Sequence, residues 1–166
     1  MTDSATSWQT YEQVATYLLN RVADSLGLQF VEGKQAVVGL ESGTSWEMDA
    51  KGICSDGVGF VLIEIKRYAT RKINQRDLGA VAYQIRDVGA SGGIVVTPLG
   101  LQEGAKKVAA AAQIVSVQLN ENSTTTQYVL RFLNRVMLGL EPEAMTISAR
   151  PLGGTLTTVK TKHEIE

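Results

Sequence analysis

The chain has 166 residues, 44% hydrophobic and 20% charged, with a net charge of −1 and a pI near 5.9, a profile that fits one soluble core with a short appendage. No apolar run is long enough to span a bilayer, the first residues are polar rather than leader-like, and a lone Cys54 with a lone His163 excludes an internal disulfide and a Cys/His zinc site. A cytoplasmic protein without a membrane partner is the expectation, and the near-neutral charge excludes one that holds a polyanion by bulk charge alone.

In chain order, Trp8, Tyr11, Ala15, Leu18, Leu19, Val22 and Leu26 recur at helical spacing, with Ser4 and Ser7 as caps and Gly27 as the stop. Three stretches with strand character follow at residues 35–41, 45–53 and 58–67, separated by Ser42-Gly43 and Ser55-Asp56-Gly57, so they are expected to pair antiparallel. In the third, Leu62, Glu64 and Lys66 share one face and Val61, Ile63 and Ile65 the other. Lys66, Arg67, Arg71, Lys72 and Arg76 then fall within eleven residues that hold no acid, either a solvated loop and helix start or a strip for an anionic partner.

The period next becomes helical through Leu78, Val81, Ala82, Ile85 and Val88, ending at Gly89. Residues 93–97 read as a buried strand, 101–112 as an alanine-rich helix and 114–117 as a further buried strand, an alternation that predicts parallel pairing. The fold class is therefore α/β, a mixed sheet flanked by helices. Residues 1–120 form the core in this reading; residues 121–166 carry an amphipathic helix over 126–140, through Tyr128, Leu133, Val136, Met137 and Leu140, and then a hairpin or loose tail. The glycine-rich stretch at Gly89 to Gly93 precedes a strand and lacks a following Gly-Lys-Ser/Thr, so it reads as a turn and not as a nucleotide loop.

The chemistry concentrates at Glu64 and Lys66, which leave one strand face about 7 Å apart, twice the rise per residue. Asp49 lies on the preceding strand and reaches Glu64 if the hairpin register allows it. Two carboxylates held together repel unless a divalent cation lies between them, and Mg²⁺ favours such oxygen ligands completed by water and phosphate. A neighbouring lysine eases formation of hydroxide and offsets charge on a phosphoryl group under attack. A Glu-x-Lys triplet alone matches often by chance, so its surroundings decide.

Those surroundings are Tyr11-Glu12-Gln13 in the first helix, Trp46-Glu47-Met48-Asp49 in the second strand, Ile63-Glu64-Ile65-Lys66-Arg67-Tyr68 in the third, then Gly93-Ile94-Val95-Val96-Thr97 and Gly104-Ala105. With these motifs the chain resembles the PD-(D/E)XK nuclease superfamily, and within it the Mrr-like restriction endonucleases, over about residues 8–117. The resemblance implies an αβββαβ core and Mg²⁺-dependent hydrolysis of DNA, with Mn²⁺ as a substitute. It also implies a role in restriction, with structure-specific repair or a non-catalytic DNA-binding module as alternatives. It puts the metal-binding aspartate on Asp49, the acidic motif residue on Glu64 and the catalytic lysine on Lys66; Glu12 matches a further acid of the first helix, and Gln84 or Gln75 the helix glutamine that often follows the lysine. Met48 stands where the family's motif has proline. Arg67, Arg71, Lys72 and Arg76 would be DNA phosphate contacts, and one site per chain makes a homodimer the expected form for cutting both strands.

Overall fold

A computed structural model describes residues 11–68 and 70–119 in full and four strands beyond them by backbone and pairing alone. The first helix, α1 (Tyr11–Arg21), is followed by a short 3-10 turn, Ala23–Leu26, closed by Gly27 in the left-handed conformation at φ 71°, where a missing Cβ removes the steric penalty. The proposed serine caps and Trp8 lie outside the described residues.

Next come β1 (Leu28–Glu32), β2 (Gln35–Val38), β3 (Ser45–Met48), β4 (Ala50–Cys54) and β5 (Phe60–Ile65). One expectation is corrected here: the single strand expected over 45–53 is two, broken by a bend at Asp49, and residues 28–32, to which the sequence assigns no element, form a strand. The break has a topological meaning: β2 and β3 form their own two-stranded sheet, whereas β1, β4 and β5 run antiparallel in the main sheet.

Helix α2 (Gln75–Asp87) begins at Asn74, whose side-chain oxygen accepts from the backbone N–H groups of Arg76 and Asp77 at 2.9 and 3.0 Å, the satisfaction a helix start requires. It leads to β6 (Gly92–Thr97), α3 (Glu103–Ala111) and β7 (Ile114–Leu119), and β5, β6 and β7 pair in parallel as expected. All six residues of β6 are buried, as befits a central strand covered on both faces.

The expected helix over 126–140 is replaced by two strands, β8 (Gln127–Phe132) and β9 (Arg135–Leu140), while of the two readings after it the hairpin is found, β10 (Met145–Ala149) pairing antiparallel with β11 (Thr157–Lys160). Tyr128, Val136 and Leu140 satisfy either period in so short a window, and the β-branched and aromatic residues of 127–132 favour a strand. Successive antiparallel pairing extends the sheet outward from β7 to give the order β1-β4-β5-β6-β7-β8-β9-β10-β11.

Side-chain alternation divides the core between the two sheet faces. Ile63, Ile65, Ile94, Val96, Val117 and Leu119 meet Leu18, Leu19 and Ala15 of α1 on one face; Leu62 and Val95 meet Leu78, Val81, Ile85 and Ala105 of α2 and α3 on the other. Each fully buried leucine or isoleucine contributes about 1.5–3 kcal/mol. Tyr11 fixes α1 against the far strand by donating its hydroxyl to the Leu119 carbonyl at 2.9 Å.

The β2–β3 hairpin is held by a buried carboxylate rather than by the sheet. Asp87, at the end of α2 and fully buried, accepts from the backbone N–H groups of Glu41 and Ser42 at 3.0 and 2.9 Å, the Ser42 hydroxyl at 2.5 Å and the Trp46 indole at 2.6 Å. Gly39 passes so close to this carboxylate that a Cβ there would collide with it. The Ser42 and Trp46 donors, helped by the two backbone groups, lower the Asp87 pKa to about 2. Because the folded value lies below the unfolded value of about 3.9, the stabilisation is fully present above that value and is lost as pH falls through the folded one. Asp87→Asn, which cannot accept all four donors, is expected to melt below the wild type at pH 7, with the gap closing toward pH 2 in thermal denaturation followed by circular dichroism.

Candidate active site

The bend at Asp49 is what builds the site. Ala50 faces Ile63 in the β4–β5 ladder, so one further residue brings Asp49 level with Glu64. Its Oδ2 accepts the Ile65 backbone N–H at 2.7 Å, which anchors the carboxylate at the end of β5. Lys66, just past β5, donates its ammonium to Oε1 of Glu64, and its own backbone N–H donates to the Val96 carbonyl at 2.8 Å. Asp49, Glu64 and Lys66 are thus one cluster at the point where β5 leaves the sheet.

The electrostatics carry the same signature. Burial pushes the Glu64 carboxyl above the ordinary range; the Lys66 ammonium opposes this and the Asp49 charge adds to it. Burial pulls the Lys66 ammonium down, but Glu64 outweighs it, aided by Tyr68 and Asp49, and the net shift is upward. Glu64 and Lys66 side chains retain 13% and 30% of their exposure, so both remain within reach of a ligand at the cleft.

Glu12 lies with Asp49 on the wall of one cavity of about 740 Å³, whose lining also includes Tyr17, Asn20, Val31 and Lys34. This brings the first-helix acid to the side of the site occupied by Asp49. Among the described residues, no three His, Cys, Asp or Glu side chains come together as a cage. The donor set still fits a hard cation of the Mg²⁺ type, which keeps several waters and needs only one or two carboxylates. Asp49 and Glu64 are the carboxylates that could hold such an ion.

Gln84 is buried and donates its amide to the Glu47 carbonyl at 3.3 Å, two residues before Asp49. That bond ties α2 to the strand that delivers the aspartate. Gln75, the other glutamine considered, packs against Gly104 at the start of α3. Of the basic strip, Arg67, Lys72 and Arg76 are exposed, while Arg71 donates to Asp77 at 2.6 Å and lies 3.9 Å over the Tyr68 ring. Lys34 escaped the sequence reading. It pairs with Glu47 at 2.9 Å, and that partner, with a further contribution from Asp49, raises its pKa. The sequence signal was the Gly33-Lys34 turn, invisible until β1 is recognised as a strand.

Comparison with known proteins gives a consistent picture. A profile described as Mrr_cat, restriction endonuclease, matches residues 5–124. No curated protein matches. A crystal structure of a protein of unknown function, AF1548, superposes with a TM-score of 0.52 at 18% identity over 62% of this chain and 55% of the other, a likeness of fold alone. The chain thus spans little more than half the length of that structure. Among the described residues no helix is long and apolar enough to cross a membrane. With its mixed sheet flanked by helices and a profile match covering most of its length, the chain belongs to the Mrr_cat family of restriction endonucleases.

Proposed function

We propose that the chain is a Mg²⁺-dependent endonuclease that hydrolyses DNA phosphodiester bonds, Mn²⁺ serving as a substitute, and that its role is restriction. The observation that carries this reading is the convergence of Asp49, Glu64 and Lys66 at the end of β5, with Asp49 pinned by the Ile65 N–H and Glu64 holding Lys66. Asp49 and Glu64 would hold the cation, and Glu12 would complete the site from α1. When bound, the cation lowers the pKa of a water and stabilises charge on the phosphate. Lys66 orients the attacking water and donates to a phosphate oxygen as negative charge develops there.

The protein supplies position as well as charge. Arg67, Lys72 and Arg76 contact phosphates along the DNA backbone, and Arg71, oriented by Asp77 and Tyr68, contributes to the same strip. Affinity therefore falls as salt rises. Removing Arg76 is expected to weaken binding to all sequences alike and to reduce the salt slope by about one, measured by fluorescence anisotropy with labelled duplex in Ca²⁺ to prevent cutting.

A single site makes one nick, so cleavage of both strands requires two copies, most simply a homodimer. The deciding experiment incubates supercoiled plasmid with purified protein in Mg²⁺, in Mn²⁺ and in chelator. Conversion to open-circular and then linear DNA in either metal but not in chelator is expected; an unchanged plasmid under all conditions, with Lys66 and both carboxylates intact, would overturn the proposal.

A further inference from the structure

The parallel strands bring one residue each to a row beside the site. Ile65 faces Val96, so Lys66, held to Val96 by its backbone N–H, comes beside Thr97, and Thr97 faces Gln118. Neighbouring strands lie about 4.8 Å apart, and paired residues of parallel strands project to the same face. Thr97 therefore shares the face of Glu64 and its neighbour Val95, at the carboxyl ends of the strands where open α/β sheets place their ligands.

Thr97 is fully buried, and among the described residues its Oγ1 is a buried polar atom without a hydrogen-bond partner. Gln118 does not satisfy it, since its amide donates to the Pro98 carbonyl at 2.8 Å. Valine would fill the same space without a stranded hydroxyl, so on stability alone threonine is the poorer choice. A hydroxyl kept unsatisfied beside a lysine that changes partners has a use.

Such a change of partner is built into the site. Oε1 of Glu64 accepts the Lys66 ammonium, and the same carboxylate must turn to a cation in the nuclease reading on which this inference rests. We propose that Thr97 is a positioning residue whose hydroxyl accepts the Lys66 ammonium once Glu64 releases it. One of three N–H donors then fixes the lysine, and two remain for the attacking water and the phosphate. The threonine hydroxyl accepts through an oxygen lone pair and has no charge to lose.

The test uses the metal-free protein first. Thr97→Val is expected to leave the melting temperature unchanged or raise it in the wild-type background, but to lower it by about 2–4 °C in a Glu64→Ala background, where Lys66 has lost its carboxylate partner. In Mg²⁺, Thr97→Val lowers kcat about 10- to 100-fold with little change in KM, and Thr97→Ser restores it. Equal thermal shifts in both backgrounds together with an unchanged kcat overturn the proposal. If Glu64→Ala does not fold, the split between kcat and KM and the serine rescue decide alone. Wild-type protein that cuts while Thr97→Val cuts equally well sinks only this inference; wild-type protein that never cuts sinks the nuclease reading, and the metal-free coupling still judges Thr97.

Discussion

Lys66→Ala is expected to reduce plasmid cleavage by about 10²- to 10⁴-fold, the range for losing a proton-transfer or charge-stabilising group from an active site. The side chain contributes little to either core cluster, so the folded state persists. Its loss does remove the ammonium that lowers the Glu64 pKa, leaving burial and Asp49, which both raise it. The variant should therefore need more alkaline conditions to bind a cation at Glu64. Lys66→Arg separates the two effects: it keeps the positive charge beside Glu64 but replaces a compact ammonium with a planar fork, so cation binding recovers while cutting does not. Calorimetric titration with Mn²⁺ alongside the plasmid assay reads both. An alanine variant that cuts at the wild-type rate would remove the lysine from the mechanism.

Asp49 offers the second large effect, and a cleaner separation of fold from chemistry. One of its oxygens accepts the Ile65 N–H, a task that an asparagine carbonyl oxygen can also perform. Asp49→Asn should keep the bend between β3 and β4 and melt close to the wild type, yet lose about 10²-fold or more in cutting through the loss of an anionic ligand. Asp49→Ala loses the anchor as well and leaves a backbone N–H unpaired at the end of β5, which costs about 1–3 kcal/mol. The pair of variants, compared by thermal melts and cleavage rates, distinguishes a ligand from a structural cap: equal activity in asparagine variant and wild type would leave Asp49 only the second role.

How much of this could be read from residues alone depended on whether local pattern and tertiary context agreed. The period-two run through Leu62, Glu64 and Lys66 and the helical stripes of α1 and α2 declare themselves because each buries one face against a neighbour. Parallel pairing of β5, β6 and β7 followed from their alternation with helices. Residues 28–32 gave no such signal, since Gln29 and Phe30 are both exposed and alternation is absent from an edge strand. The division of 45–53 at Asp49 was equally hidden: Trp46 and Met48 face α2 and its surroundings while Ala50 faces α1, and only the three-dimensional ladder shows that the chain changes sheets there. At 126–140 a short apolar pattern fitted two periods, and pairing against β7 decided between them.

The site was legible as a motif but not as a neighbourhood. Asp49, Glu64 and Lys66 stand out by type and spacing, whereas Lys34 and Thr97 enter through register and turn geometry, which no spacing rule encodes. Gln84 is singled out by residue type, and its buried amide is bonded to the backbone before Asp49.

The hairpin formed by β2 and β3 stands apart from the main ladder, joined through one hinge residue and docked on α2 by Asp87, the Trp46–Tyr83 ring contact at 6.2 Å and Gln84. Its tip is pinned to the end of α2 through Glu41 and Ser42, so an insertion there would cost the Asp87 anchor before it reached the strands that carry the acids.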